Sequence, residues 1–340
     1  MGAVSDVVNM GSWGRMRMWL LAIAVAILGT HALQLAGLID ITKSIYVRPN
    51  VTWLSYVLGG LLFGIGMTLG SGCGSKTLVR MGGGSLKSLV VFTFLGIAAY
   101  MTLKGLFAIW RTRWIDPVAT DLAAHNVPRQ DLPTLISAWS GAGLAGVEIA
   151  VALAVAIALL VFVFKDRDFR TSFDHVFGGT VVGLVIVGGW YVTGHIGYGE
   201  NPETLETAFL GTNSRTIESL SFTSPVAYTL ELLMLWSDKS LGLTFGIGAT
   251  AGIILGSFVY AIASKTFRFE GLAGAEDTAN HVVGGLLMGF GGVLALGCTI
   301  GQGLSGFSTL AIGSILAFAA IIAGCVACVR YQEWRLESAS

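Results

Sequence analysis

Charged residues are scarce in this chain of 340 residues, which has only 20 Lys and Arg, 20 Asp and Glu and 5 His. Charged side chains make up 12% of the sequence, whereas an ordinary soluble domain carries roughly 25%. This scarcity excludes an ordinary soluble domain. The formal net charge is zero, which argues against a nucleic-acid partner. The four cysteines lack the spacing of a disulfide scaffold, so cross-links are not expected to hold the fold.

Long apolar runs take the place of the missing charge. Hydrophobic residues make up 54% of the sequence, and the mean hydropathy is +0.75. Eight runs approach the length that crosses a hydrocarbon core of about 30 Å: 16–38, 52–69, 85–110, 141–164, 176–195, 241–263, 282–296 and 307–329. A ninth run, 225–236, is short and contains Glu231. The sequence predicts an all-α polytopic membrane protein in the lipid bilayer, with about nine membrane helices.

A glycine-rich pattern occurs twice and leads each time to a cysteine. The run 59–66 (GGLLFGIG) precedes Cys73, and the run 284–291 (GGLLMGFG) precedes Cys298 at the same spacing. Glycine weakens an isolated helix but is common where membrane helices pack closely. The duplication predicts a single membrane domain made of two related halves. These halves are residues 1–165 and 166–340, with repeats centred on 57–110 and 281–329.

The distribution of charge predicts opposite directions for the two copies. Basic residues favour the cytoplasmic side of short loops, and Lys165 and Arg268 each follow a predicted span. The stretch 199–224 has four glutamates against Arg215 alone, so it is expected outside. The helix before the first cysteine then runs inward, and the helix before the second runs outward. The sequence therefore predicts an inverted pseudo-two-fold repeat, with which many transporters form a site near the bilayer midplane.

Both copies end in helix-breaking residues at membrane depth. The run 282–296 would extend only about 22 Å as a helix, so it should stop inside the membrane as a re-entrant, broken helix. Irregular backbone at this depth needs protein or a water-filled cavity to satisfy its amides. Such breaks direct N–H groups and the positive ends of helix dipoles toward one place, which attracts an anion. Ser305 is expected to cap the last helix. The residues expected to bind the anion are Cys73, Cys298, Gly72, Gly74, Ser75, Lys76, Gly297, Thr299 and Gln302.

The residues missing from the two breaks narrow the choice of ligand. Two facing thiols in an apolar passage favour a soft anion, because a thiol is a weak donor and a polarisable acceptor. Arginine would more typically hold sulfate or phosphate, and neither break has an arginine before Arg80. Histidine and acidic side chains are also missing there, which argues against acid–base catalysis. A small sulfur-containing anion is therefore the expected ligand, and neither a cofactor nor a metal ion is expected.

The cysteine motifs resemble those of a known family. The pattern Gly-x-Gly-Met-x-Leu-x-x-Gly-Cys at 64–73 and the sequence GCTIGQGLSG at 297–306 are similar to motifs of the YeeE/YedE family of bacterial inner-membrane proteins. The sequence WYVTG at 190–194 is also similar to that family's middle segment. The resemblance covers roughly residues 57–329. It implies about nine spanning helices with re-entrant loops, a multi-pass location in the cell inner membrane and uptake of thiosulfate.

The resemblance also implies a mechanism and a partner. The family's proposed mechanism passes the anion between cysteines by S–H hydrogen bonds to sulfur, and Cys73 and Cys298 lie on two of its motifs. Members often work beside a sulfur-carrier protein of the TusA type, expected here on the cytoplasmic side. Thiosulfate-transporting members have a further cysteine near the N-terminal helix, whereas no cysteine precedes Cys73 in this chain. The relay is therefore expected to be shorter, and another sulfur or selenium species is an alternative substrate.

Two further classes of function fit the same residues. A membrane thiol oxidoreductase or sulfurtransferase would carry a persulfide on one of the cysteines. A purely structural membrane subunit would need neither thiol. A permease is favoured because a glycine-rich site at membrane depth suits passage better than catalysis, so the protein is not expected to be an enzyme.

Overall fold

Helices form most of the molecule. The computed structural model describes residues 1–200 and 205–339; residues 201–204, which include Glu203 of the acidic stretch, and Ser340 lie outside the described residues. The α-helices are α1 (Gly2–Met10), α2 (Gly14–Leu35), α3 (Trp53–Leu69), α4 (Gly74–Gly82), α5 (Leu86–Leu103), α6 (Leu106–Trp110), α7 (Leu132–Ser140), α8 (Leu144–Phe164), α9 (Arg167–Thr171), α10 (Phe173–Tyr191), α11 (Ser224–Met234), α12 (Phe245–Ala263), α13 (Ala275–Leu294) and α14 (Ile312–Ala339).

Shorter elements close the connections between these helices. Two antiparallel strand pairs join β1 (Asn50–Val51) to β2 (Thr120–Asp121) and β3 (Tyr198–Glu200) to β4 (Thr207–Phe209). Single turns of 3-10 helix lie at Ile41–Lys43, Ile45–Val47 and Ala123–His125, and π-helical turns lie at Arg111–Ile115, Val192–Ile196 and Gly301–Gly306. The strand pairs are too short to form a separate sheet domain.

Seven segments in the described part of the chain are long and apolar enough to cross a membrane. The predicted helix count of about nine is therefore not confirmed. The predicted run 282–296 lies in the later part of α13, whose first turn contains Glu276 and Asp277. The short run 225–236 corresponds to α11, which has only 11 residues. The seven spans are Gly14–Leu35, Trp53–Gly82, Leu86–Leu103, Leu144–Phe164, Phe173–Ile196, Phe245–Ala263 and Ile312–Arg335.

Glycine allows α3 and α13 to touch backbone to backbone. A Cβ atom added at Gly66 would lie 2.7 Å from the Gly284 carbonyl oxygen and 2.8 Å from the Met288 amide. A Cβ atom added at Gly291 would lie 2.6 Å from the Gly59 carbonyl oxygen. The end of each helix thus meets the middle of the other, and the contacts run in opposite order along the two helices, so α3 and α13 are antiparallel. Small residues at such crossings allow the close packing on which membrane helices depend.

The remaining glycines of the two copies make reciprocal contacts. Gly60 of α3 packs against Ala317 and Ala320 of α14. Its counterpart in the second copy, Gly285 of α13, packs against Val91 of α5. Since α5 follows the first break and α14 follows the second, the helix after each break packs on the helix before the other.

The two breaks contain more helix than the sequence suggests. After Cys73 the chain enters the nine-residue helix α4, and after Cys298 it forms a helical turn that continues as the π-helix Gly301–Gly306. The prediction that Ser305 caps the last helix is wrong, because α14 begins only at Ile312. The Ser305 hydroxyl instead donates to the Leu220 carbonyl at 2.7 Å. Glycine-rich sequence therefore marks tight packing here rather than irregular backbone.

The close contact between α3 and α13 predicts an asymmetry between two glycine substitutions. Gly66→Ala should destabilise the protein by about 1–3 kcal/mol, because backbone atoms cannot move away from the new methyl group. Gly252→Ala is the matched control, since Gly252 lies within α12 and has open space around its Cα. It should be neutral or stabilising by up to about 1 kcal/mol, because alanine favours the helix. Thermal unfolding of both purified variants in detergent measures this, and equal midpoints would contradict the packing described.

Candidate functional site: two cysteines at helix starts

Cys73 lies at the start of α4. The chain turns after α3 with Ser71 at a φ of 58°, and Cys73 takes the N-cap position of α4. Its sulfur accepts a hydrogen bond from the backbone amide of Lys76 and lies 3.3 Å from the Ser75 hydroxyl. The first turn of a helix has unpaired N–H groups and a partial positive charge. The Cys73 sulfur is therefore held where negative charge is favoured.

Cys298 takes the corresponding position in the second copy. Leu296, the counterpart of Ser71, has a φ of 55°, and helical residues begin directly after Cys298. The Cys298 sulfur accepts N–H groups from Gly301 at 3.4 Å and from Phe222 at 3.3 Å. The side chain is fully buried. The sulfur atom thus satisfies two backbone amides from separate segments, in a place where an unsatisfied amide is costly.

Thr299 connects the two thiols. It follows Cys298 in sequence, but its hydroxyl faces the Cys73 thiol and has no further hydrogen-bond partner among the described residues. Cys73 and Cys298 are close enough to interact electrostatically, and both are free thiols. Gly74, directly after Cys73, packs against Phe222, whose amide donates to the Cys298 sulfur. A Cβ atom at Gly74 would lie 3.0 Å from the Phe222 carbonyl oxygen. The two breaks therefore meet in one region.

A cavity of about 380 Å³ opens beside Cys73. Cys73, Ser75, Lys76, Arg15 and Trp19 line this Cys73 cavity. The exposed Lys76 and Arg15, the latter in an ion pair with Asp6, place positive charge along it. The indole N–H of Trp19 is buried and has no partner in the part of the chain that the structure describes. An anion that enters the cavity would therefore meet cationic and N–H groups before it meets the thiol.

A second cavity, of about 310 Å³, is lined by Leu296, two residues before Cys298. Tyr46, Arg48, Glu218 and Ser221 are among the residues that line this Glu218 cavity. The buried Tyr46 phenol also interacts electrostatically with Cys298, so the cavity wall approaches the second thiol at this residue. Tyr46 and Arg48 precede α3, whereas Cys73 follows it, and 17 helical residues span about 25 Å. The two cavities therefore lie toward opposite ends of α3.

The predicted binding residues fall into two groups. Cys73, Ser75 and Lys76 line the Cys73 cavity, and Thr299 lines an adjoining smaller pocket together with Cys73. The others lie within the packing: Gln302 is fully buried, and its side-chain amide donates to the Ala295 carbonyl across the second break. The buried members of this second group are Cys298, Gly72, Gly74, Gly297 and Gln302.

Several side chains at the site lie outside the duplicated sequence pattern, so the sequence did not indicate them. Trp19 comes from the first membrane helix, and Tyr46 comes from the connection that follows it. Phe222 and Glu218 come from the acidic stretch, whose negative charge indicated only which side it faces. All four lie far in sequence from both cysteines, so only the tertiary structure brings them to the site. Within the described residues, no group of three or more His, Cys, Asp and Glu side chains is arranged to hold a metal ion.

The difference in burial predicts unequal thiol reactivity. Cys73 should react roughly tenfold faster or more with N-ethylmaleimide than Cys298, because a desolvated thiol forms the reactive thiolate less readily. Peptide mass spectrometry of the wild-type protein after timed labelling would measure both rates at once. Cys325, which is also fully buried, is an internal control and should remain as slow as Cys298. Labelling of Cys298 before Cys73 would contradict the arrangement.

Comparisons with known proteins show the family to which the chain belongs. The family described as sulphur transport matches residues 1–327. A thiosulfate transporter, TsuA, of Escherichia coli strain K12 is 29% identical over 296 residues, which cover 84% of this chain and 75% of the relative. A thiosulfate transporter, TsuA, of Spirochaeta thermophila is 28% identical over 287 residues, covering 79% of this chain and 74% of the relative. With the match spanning nearly its whole length, the chain belongs to the sulphur transport family, YeeE/YedE.

Proposed function

We propose that the protein is a permease that imports a small sulfur-containing anion, with thiosulfate as the preferred candidate. The observation that carries this proposal is the pair of free thiols, each at the start of a helical segment and each accepting backbone N–H groups. The two similar proteins named as thiosulfate transporters support the choice of substrate.

The chemistry of the two thiols suits a soft anion. A thiol donates weakly through S–H, and its sulfur is polarisable, so it matches the terminal sulfur of thiosulfate better than the hard oxygen atoms of sulfate. The helix starts that bear Cys73 and Cys298 add positive potential at the two sulfur atoms themselves, whereas the cationic side chains Lys76 and Arg48 line the cavities on either side. We infer that the anion moves from one sulfur to the other through weak hydrogen bonds. A strongly charged binding site would instead retain it.

The charge distribution supports an orientation of the protein in the membrane. Arg15 and Lys76 line the Cys73 cavity, and basic residues favour the cytoplasmic side. The Glu218 cavity would then face outward, in a multi-pass protein of the cell inner membrane. The antiparallel contact between α3 and α13, and the reciprocal packing of α5 and α14, support an inverted repeat around this passage.

The proposed partner lies at the cytoplasmic end. A TusA-type sulfur carrier would receive the anion or its sulfur there, as the family resemblance implies. No cysteine precedes Cys73, so the relay proposed here has two cysteines, and Trp19 lines the cavity that the anion would enter next. Selenium analogues of the anion are soft as well and form the alternative substrate class.

Removal of either thiol should abolish most transport. Cells that carry Cys73→Ala or Cys298→Ala should take up radiolabelled thiosulfate at least about tenfold more slowly than wild type, a loss of about 1.4 kcal/mol or more of barrier lowering. Cys328→Ala is the matched control, because Cys328 lies in α14 outside both cavities. Unchanged uptake in both site variants, at equal protein levels, would refute the role of the cysteines.

A conservative variant separates sulfur chemistry from structure. Cys298→Ser keeps an acceptor for the Phe222 and Gly301 amides but replaces the soft atom with a hard one. It should fold with a thermal midpoint near wild type, yet transport thiosulfate several-fold more slowly. Competition uptake in the same cells should show less discrimination between thiosulfate and sulfate. Wild-type discrimination in Cys298→Ser would mean that sulfur is not the selective atom.

A further inference from the structure

The Glu218 cavity contains a feature unexpected on a route for anions, namely an acidic side chain. Glu218 lies in the connection between α10 and α11, outside the seven candidate spans, and is half-buried in the cavity wall. Its carboxylate accepts a hydrogen bond from the Ser214 hydroxyl at 2.9 Å. Across the residues that the structure describes, it forms no ion pair, although Arg48 lines the same cavity.

The backbone holds Glu218 firmly in this position. Thr193, in the π-helical turn after α10, donates its hydroxyl to the Glu218 carbonyl oxygen. Four residues further on, the Phe222 amide donates to the Cys298 sulfur, and Ser219 and Ser221 line the cavity between them. One short segment thus carries the acid at the cavity and the amide at the inner thiol. A change of charge on Glu218 therefore alters the electrostatic potential close to the segment that contacts Cys298.

The surroundings of Glu218 disfavour its negative form. The titratable groups that interact with it are Tyr46 from the segment before α3 and Tyr228 from α11. Arg48 lines the same cavity, and the Lys104 ammonium lies over the Tyr228 ring. Loss of contact with water raises the pKa of Glu218 to about 7, and the Ser214 hydrogen bond opposes that rise. The carboxyl group of Glu218 is therefore mostly neutral below about pH 7 and mostly negative above it, so its charge changes near neutral pH.

We propose that the Glu218 cavity is an anion-binding site in which the anion and a proton on Glu218 bind together. At a pH above the pKa of Glu218, its carboxylate in a cavity of about 310 Å³ repels a second negative charge. Once protonated, the same group becomes a hydrogen-bond donor in a cavity that Arg48 and serine hydroxyls also line, and all of these groups suit an anion. The proton comes from the water on that side of the membrane. This inference rests on the proposed function, and it adds to it a proton-linked site ahead of the two thiols.

Thermodynamic linkage makes the proposal measurable without transport. If protonation favours the anion, the anion must favour protonation to the same extent. Infrared difference spectra of the protein in lipid nanodiscs should show a protonated carboxyl band that disappears as the pH rises through about 7 and that is missing in Glu218→Gln. Saturating thiosulfate should raise the midpoint of this band by roughly one pH unit. Ser214→Ala should also raise it, because the hydrogen bond that favours the carboxylate is lost.

Uptake into proteoliposomes is the second arm of the test. Wild type should import thiosulfate several-fold faster at about pH 6 than at about pH 8 on the Glu218 side, and Glu218→Gln should lose this dependence. Glu206→Gln is the matched control and should keep it, since Glu206 is an exposed residue of the same connection outside the cavity. A band midpoint that no anion moves, or a full pH dependence in Glu218→Gln, would overturn the proposal.

The two arms separate this inference from the proposed function. If sulfate raises the band midpoint whereas thiosulfate neither raises it nor is transported, the proton-linked anion site stands and the choice of thiosulfate fails. If thiosulfate is transported and its uptake depends on the two cysteines, but thiosulfate does not move the band midpoint, the permease stands and the role of Glu218 fails. The midpoint shift in wild type needs no substitution, so the test remains decisive even if Glu218→Gln does not fold.

Discussion

The arrangement of the site follows from one constraint, which is that backbone N–H groups exposed by a helix break inside an apolar bundle need acceptors. Breaking a membrane helix frees such groups, and each costs several kcal/mol if it is left unpaired in hydrocarbon. At both breaks the acceptor includes a cysteine sulfur: Cys73 receives the amide of Lys76, and Cys298 receives those of Gly301 and Phe222. Sulfur is a weak acceptor. These amides are therefore only loosely satisfied and can still attract an anion that approaches the thiol.

Close packing of the helices holds the two breaks against each other. Glycines bring the backbones of α3 and α13 into direct contact, and the same pattern attaches α14 to α3 and α5 to α13. An alanine at Gly66 or Gly291 would force these helices apart, so the thiols could not share one region. Two cavities, the Cys73 cavity and the Glu218 cavity, lie toward opposite ends of this contact. The buried Cys298 interacts electrostatically with Cys73 and with Tyr46, which line different cavities.

Much of this could be predicted from the sequence, because it depends on local pattern. The duplicated glycine run, the two cysteines and the membrane character all leave periodic or compositional signals, and the family match agrees with them. What could not be predicted depends on distant contacts. The contact of the Phe222 amide with Cys298 and the position of Glu218 beside Tyr46 are set by segments far apart in the chain. Glycine is ambiguous on its own, since it marks both flexible backbone and tight helix packing.

The structure of the protein bound to thiosulfate is the most direct test of whether the two helix starts form the passage. Density for the anion is expected beside the Cys73 sulfur and the Thr299 hydroxyl, or against the Cys298 sulfur where the Phe222 amide points, with the terminal sulfur of the anion toward the protein thiol. Well-resolved side chains at both breaks with no anion between the two cavities, at a concentration that saturates transport, would contradict the central role of these cysteines.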